Sequence, residues 1–174
     1  MRKLLLALAV LGGARPLAAQ YARARVWPPG FTAQLALDTI NAPIQLDAPY
    51  EKVYAATVAA FDDLKIPLDT RDSARGLVGN LALKKSGSMA GSQLSRWFNC
   101  GNGMTGPNAD TFRIYLSVAA LLDHVSATTS RIRIAMAGGA QDMQGSAKDA
   151  VPCASTGGIE SRLLEIIRKR IATP

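Results

Sequence analysis

The run Asp110-Thr111-Phe112-Arg113-Ile114-Tyr115-Leu116-Ser117-Val118-Ala119-Ala120-Leu121-Leu122 alternates. Phe112, Ile114, Leu116, Val118 and Ala120 fall on one side, and Arg113, Tyr115 and Ser117 on the other. Successive side chains of an extended chain point to opposite faces, so this period of two predicts a long strand with an inner and an outer side. Ile132, Ile134 and Met136 repeat the pattern across 130–136, and the polar connector 123–129 between the two runs reads as a hairpin. Gly138-Gly139 then suggests a bulge or the end of pairing. Antiparallel pairing is therefore expected at the centre of the fold.

On the amino-terminal side, Leu77, Gly79, Leu81 and Leu83 alternate with Val78, Asn80 and Ala82, which predicts a strand over Leu77–Lys85. A turn over 71–76 separates it from a short extended piece at 66–70, where Pro67 lacks a backbone donor and favours an edge or a strand start. Further back, Tyr50, Val53, Tyr54, Thr57, Phe61 and Leu64 share one face of a helix over 49–64. Pro49 suits its first turn, and Asp47 is placed to accept orphan N–H groups. Two more extended pieces are expected, at 31–37, where Phe31, Ala33, Leu35 and Leu37 alternate, and around Ile44–Leu46.

On the carboxyl-terminal side, Ile159, Leu163, Ile166, Ile167 and Ile171 form the apolar stripe of a last helix. Ser155 or Thr156 is its expected cap, with Glu160 near its start and Arg168, Lys169 and Arg170 near its end, each charge matched to the helix dipole. The basic triplet reads as a solvated helix end or as a patch for an anionic surface. The elements together predict an α+β fold: an antiparallel sheet of about five strands with two main helices packed on it. Strands fall before and after the first helix without regular alternation, which argues against a doubly wound parallel sheet.

The helix, followed by Ile66-Pro67-Leu68-Asp69-Thr70-Arg71-Asp72 and then Gly76-Leu77-Val78-Gly79, resembles the helix-grip-like domains of the BamC lipoprotein of outer-membrane assembly. It is similar also to a wider set of secreted bacterial domains with the same helix and hairpin, and the match spans about forty residues. The resemblance implies an envelope-associated, non-catalytic scaffold or binding role. The chain departs from the lipoprotein in lacking a lipid-attachment cysteine.

Residues 1–19 read as a secretory leader: Arg2 and Lys3, then an apolar run from Leu4 to Leu11, then Leu17-Ala18-Ala19 before Gln20. That apolar run is shorter than the ~20 residues a membrane-spanning helix needs. Residues 20–30, with Trp27 and Pro28-Pro29, read as an extended arm, and 31–174 as a single domain. Three of the 20 basic side chains, Arg2, Lys3 and Arg15, would leave with the leader, taking the formal charge from +7 to about +4. Such a charge is ordinary for solubility and gives only slight support to a polyanionic partner such as envelope phosphates, and export disfavours a nucleic-acid partner. The expected location is periplasmic or extracellular, without a transmembrane segment.

Export also bears on the two cysteines, Cys100 and Cys153. Disulfides persist outside the cytoplasm, the count is even, and no Cys-x-x-Cys spacing points to an exchange device, so a structural bridge is expected. It would staple Leu94-Ser95-Arg96-Trp97-Phe98-Asn99-Cys100-Gly101 to the segment that launches the last helix. The irregular stretch 86–109 around it is long enough to be functional or to carry structure of its own. Trp97 and Phe98, with Arg96, are candidates for a partner or ligand surface; the preferred reading is that the two aromatic side chains plug the core under the loop, beside the disulfide.

Catalytic signals are few. The lone histidine, His124, lies beside Asp123, but no Gly-x-Ser-x-Gly elbow nominates a serine. One histidine and two cysteines make no metal cluster, and the glycine-rich segments match neither phosphate-binding fingerprint. No cofactor is expected. Three functional classes follow: a non-enzymatic exported domain that binds a protein or a cell-surface polymer, a carrier of a small apolar ligand held between helix 49–64 and the sheet, and a hydrolase with an unrecognised site.

Overall fold

The computed structural model describes residues 23–143 and 150–173. The expected leader and its junction at Gln20 lie outside the described residues. Seven strands make one antiparallel sheet: β1 (Ile44–Leu46), β2 (Thr70–Asp72), β3 (Leu77–Lys85), β4 (Phe98–Asn99), β5 (Arg113–Ser126), β6 (Thr129–Gln141) and β7 (Val151–Ser155). The helices are α1 (Tyr50–Asp63), the single turn α2 (Asn108–Thr111) and α3 (Gly158–Ala172). Across the sheet the order is β2-β3-β5-β6-β7-β4. The outer edge of β6 is shared, with β1 beside Ser130–Ile132 and β7 beside Gly138–Ala140.

The central hairpin is longer than its apolar alternation. Pairing runs from Arg113↔Gln141 to His124↔Ser130, passes an irregularity, and closes at Ser126↔Thr129, so only Ala127 and Thr128 form the turn. The connector expected over 123–129 is thus mostly strand. Its polar side chains mark exposure at the end of a projecting hairpin and not the loss of pairing, because the ladder bonds are made by backbone.

Strand β3 changes face partway along. Its pairing with β5 slips by one residue, from Leu83↔Leu116 to Asn80↔Val118. The bulge sends Leu83 to the helix-covered face and Leu77 to the other, although they have the same parity. The groups it frees are all engaged: the Leu81 N–H donates to Asp69, the Ser117 hydroxyl donates to the Leu81 carbonyl at 2.6 Å, and the Ala82 N–H donates to Asn80 Oδ1. At the edge, β2 begins at Thr70, three residues after Pro67. Pro67 itself accepts from Asn80 Nδ2 through its carbonyl.

Both long helices cover one face. On β5 the expected inner residues Ile114, Leu116, Val118 and Ala120 are buried there against Val53 and Phe61 of α1 and Leu163 of α3. Thr57, buried within α1, donates its hydroxyl to the Val53 carbonyl at 2.7 Å. The N-cap of α1 is Pro49, and neither Asp47 nor any other side chain caps it. The α3 N-cap is Gly157, in the left-handed region at φ 79°. Ser155 and Thr156 still serve that end, their hydroxyl oxygens accepting the Gly157 and Gly158 N–H groups. Ser155 also donates to Glu160 Oε1 at 2.6 Å.

The opposite face carries a second layer, formed by residues 23–40. Ala24, Val26 and Leu37 pack on Ala119, Leu121, Ala135 and Ala137. Arg25–Val26 pairs with Leu35–Ala36 in a small ribbon. The strand expected over 31–37 is reduced to that pair, because the Phe31 N–H closes a turn onto the Pro28 carbonyl and Leu37 enters a 3-10 turn. Arg23 fastens the layer through Asp38 at 3.0 Å, Asp123 at 3.2 Å and the Leu122 carbonyl at 2.7 Å. Gly139 makes the close approach possible: a Cβ there would stand 1.8 Å from the Pro29 carbonyl oxygen.

The sheet exceeds the expected five strands because β4 and β7 join its edge. Two residues and five, with Asn99 and Pro152 among them, give no readable period. Their pairing brings Ala154 opposite Asn99, and the next positions are the disulfide Cys100–Cys153, with 4.2 Å between Cα atoms and 53 residues between them in sequence. The stretch 86–109 does carry structure of its own: a ribbon at Ser88–Met89 and Ser92–Gln93, a 3-10 turn at Leu94–Arg96, and a second ribbon at Asn102–Gly103 and Gly106–Pro107.

Candidate functional site

Trp97 and Phe98 are core side chains, 3% and 1% exposed. Their place follows from local geometry. The 3-10 turn Leu94–Arg96 delivers Trp97 inward, its indole N–H donates to the Met89 carbonyl at 2.8 Å, and the disulfide holds β4 against β7 immediately beyond. An indole so buried needs a hydrogen-bond partner, and the Ser88–Met89 ribbon supplies it. The core plug is therefore what Trp97 and Phe98 form, and of the candidate surface only Arg96 is exposed: a partner would have to open the core to reach Phe98.

What Arg96 does is form one wall of a cleft of about 560 Å³, with α3 as the other wall. Arg162, Glu165, Ile166 and Lys169 line the helix side, and the edge of Trp97 lies at the floor. Arg162 and Lys169 are seven residues apart, two helical turns, and therefore project on the same side. The Arg96 guanidinium lies 5.5 Å from the Trp97 ring centroid, close enough for the ring's electron-rich face to hold the cation in place. Three cations and one carboxylate, Glu165, thus line the cleft. None of the four takes part in the ion pairs found among the described residues.

Gly158 completes the floor. A Cβ there would stand 2.9 Å from two carbons of the Trp97 ring, so the first turn of α3 can approach the indole only with glycine at this position. The basic triplet at the other end of α3 divides in use. Arg170 forms a bidentate pair with Asp63 of α1, with a shortest distance of 2.7 Å, while Lys169 faces the cleft.

The other expected sites are placed as follows. His124 is exposed on β5 opposite Ser130, its ring 6.2 Å from that of Tyr50. Ser130 is fully buried and donates its hydroxyl to the Ala48 carbonyl, and Asp123 is paired with Arg23, so these groups are engaged away from the imidazole. Among the described residues no group of three or more His, Cys, Asp and Glu side chains gathers as a metal site would require. Val53, Ala60 and Phe61 of α1 are fully buried, and α1 does not line this cleft. Among the described residues no helix is long and apolar enough to cross a membrane.

No family model matches the chain, and no curated protein matches it.

Sequence reading singled out Arg96 and Trp97, and Lys169 within the basic triplet, but not Arg162 or the meeting of the two segments. The signal was present in two parts. The expected disulfide already brings the residues before Cys100 next to those after Cys153, and a helix beginning there turns Arg162 and Lys169 to one side.

Proposed function

We propose that the protein is an exported, non-enzymatic binding domain of the cell envelope, and that the Arg96–α3 cleft holds phosphate groups of an anionic surface polymer. The observation that carries this reading is the meeting of Arg96, Arg162 and Lys169 around a cleft with a single carboxylate. Guanidinium groups suit phosphate because their planar fork can donate two parallel hydrogen bonds, and the ammonium of Lys169 adds a point charge. Export is supported by the disulfide and by the leader-like residues 1–19. Two long helices sharing one face of the sheet support the helix-grip-like description and, with it, the envelope role that the resemblance implies.

The test is titration of the protein with long-chain inorganic polyphosphate, with neutral dextran as control. Exposed ion pairs contribute roughly 0.2–1 kcal/mol each, so replacing Arg96, Arg162 and Lys169 together by Ala should weaken binding about thirtyfold. Added salt should weaken the wild-type complex as well. Polyphosphate binding that the triple variant leaves unchanged would refute the assignment.

A further inference from the structure

The second layer of the fold builds a separate cleft of about 520 Å³, between the turn that starts at Trp27 and the bulged end of β3. Arg25, Trp27 and Pro28 line one side, and Lys84 and Tyr115 the other. Trp27 is 63% exposed, whereas Trp97 is 3% exposed. An indole that is largely in water retains apolar surface that a ligand can cover.

We propose that this cleft binds an acidic sugar ring, such as a uronate unit of a surface polysaccharide. The first argument is rigidity. The Trp27 indole N–H donates to the Phe31 carbonyl at 2.7 Å, and Pro28 and Pro29 follow with fixed backbone φ, so the ring is held before any ligand arrives. The chain beneath is fixed too, since Pro29 lies directly on Gly139. A platform ordered in advance loses little freedom on binding.

The second argument is charge. Arg25 and Lys84 reach the cleft, and none of its lining residues is acidic. Neither cation takes part in the ion pairs found among the described residues. The Lys84 ammonium lies over the Tyr115 ring, 5.5 Å from its centroid, so the ring's electron-rich face holds the cation at the cleft. A sugar ring offers a flat C–H face to Trp27, and its carboxylate answers the two cations.

The third argument separates a sugar from an acidic peptide. A peptide docking as an added strand depends on free backbone groups at a sheet edge. At the bulge those groups are already used: the Leu81 N–H by Asp69, the Leu81 carbonyl by Ser117 and the Ala82 N–H by Asn80. Ring faces and cations are therefore the main groups that the cleft offers beside the bulge.

Trp27 is its own reporter. Tryptophan emission is to be recorded while the protein is titrated with tetragalacturonate, maltotetraose as a neutral sugar, or tetraglutamate as an acidic peptide. Tetragalacturonate should change the emission saturably, and Trp27→Phe should abolish the change. Arg25→Ala with Lys84→Ala should weaken binding at least tenfold, while the triple substitution at Arg96, Arg162 and Lys169 should leave it unchanged. The last comparison separates this site from the phosphate cleft. The proposal is overturned if tetragalacturonate gives no saturable change, if maltotetraose or tetraglutamate binds as tightly, or if the two charge substitutions have no effect.

Discussion

The two faces of the sheet are covered by different means, and their side chains differ to match. Under α1 and α3 the filling residues are large: Phe61, Ile114, Ile132, Ile159 and Leu163 are all fully buried. Beneath residues 23–40 most are small, Ala119, Ala135, Ala137 and, at the closest approach, Gly139, with Leu77 and Leu121 the larger exceptions. A helix holds its axis well away from a sheet, and the gap must be filled by long side chains at crystal-like density. An extended chain can lie directly on the strands, provided nothing projects from them. The helix side is therefore sensitive to lost volume and lost cross-links, and the arm side to added volume.

The largest effect is expected at the disulfide, which belongs to the helix side. Closing a loop of 53 residues contributes about 4 kcal/mol in the chain-entropy model. Replacing Cys100 and Cys153 together by Ser should lower the melting temperature by roughly 10 °C. Hydrogen exchange should rise over 88–110 and at the start of α3, where Trp97 rests on Gly158, while residues 23–40 keep their protection. Equal loss of protection in both layers would show that they are one cooperative unit and undo the comparison.

Gly139→Val is the converse experiment. Its Cβ would meet the Pro29 carbonyl, so the arm must lift from the strands. Overpacking of this kind costs about 1–3 kcal/mol. Faster exchange should be confined to residues 23–40, accompanied by dye binding to the uncovered Ala119, Leu121 and Ala137 surface. The tetragalacturonate response at Trp27 should be lost at the same time. An unaltered melting curve would mean that the arm does not press on Gly139 in solution.

A smaller change, Arg23→Ala, loosens the same layer without adding volume. It removes the pairs to Asp38 and Asp123 and the bond to the Leu122 carbonyl. Its half-buried position places the cost at about 1–2 kcal/mol. Added salt should weaken the wild type towards the variant, and denaturant unfolding at two ionic strengths measures both.

These contrasts also mark what could be read without coordinates. The hairpin and the two long helices were legible because each holds one period over a long run, and β3 because its sequence alternates, although the bulge turns its second half to the other face. The arm layer was not, since Ala119 and Leu121 look the same whether they face solvent or a covering chain. A small residue in a strand records that something lies close but not what it is. Strands β4 and β7 were too short for any period, although the disulfide that pairs them was legible from compartment and cysteine count. Both clefts combine residues far apart in sequence, Arg96 with Lys169 and Trp27 with Tyr115, so each side chain could be noticed but not its neighbour.

The smallest effect tests where α1 meets the end of the hairpin, between the two layers. Tyr50 packs near Tyr54 and His124, and its hydroxyl donates to the Ser73 carbonyl at 2.6 Å. Burial, then the neighbouring Glu51 carboxylate, raises its ionisation above the usual tyrosine value. Burial, then Asp72, raises Tyr54 in the same direction. A raised folded-state value means that the unfolded chain releases these protons first. Stability should therefore hold up to the ordinary tyrosine pKa and fall as pH climbs from there through the folded-state values. Tyr50→Phe removes one of the two groups and one hydrogen bond, so it should cost about 0.5 kcal/mol at neutral pH yet flatten the alkaline loss. Urea unfolding of wild type and variant, at neutral pH and just above the ordinary tyrosine value, provides the comparison. A variant that loses as much stability as the wild type on the alkaline step would show that Tyr50 ionises as freely in the folded protein as in the unfolded chain.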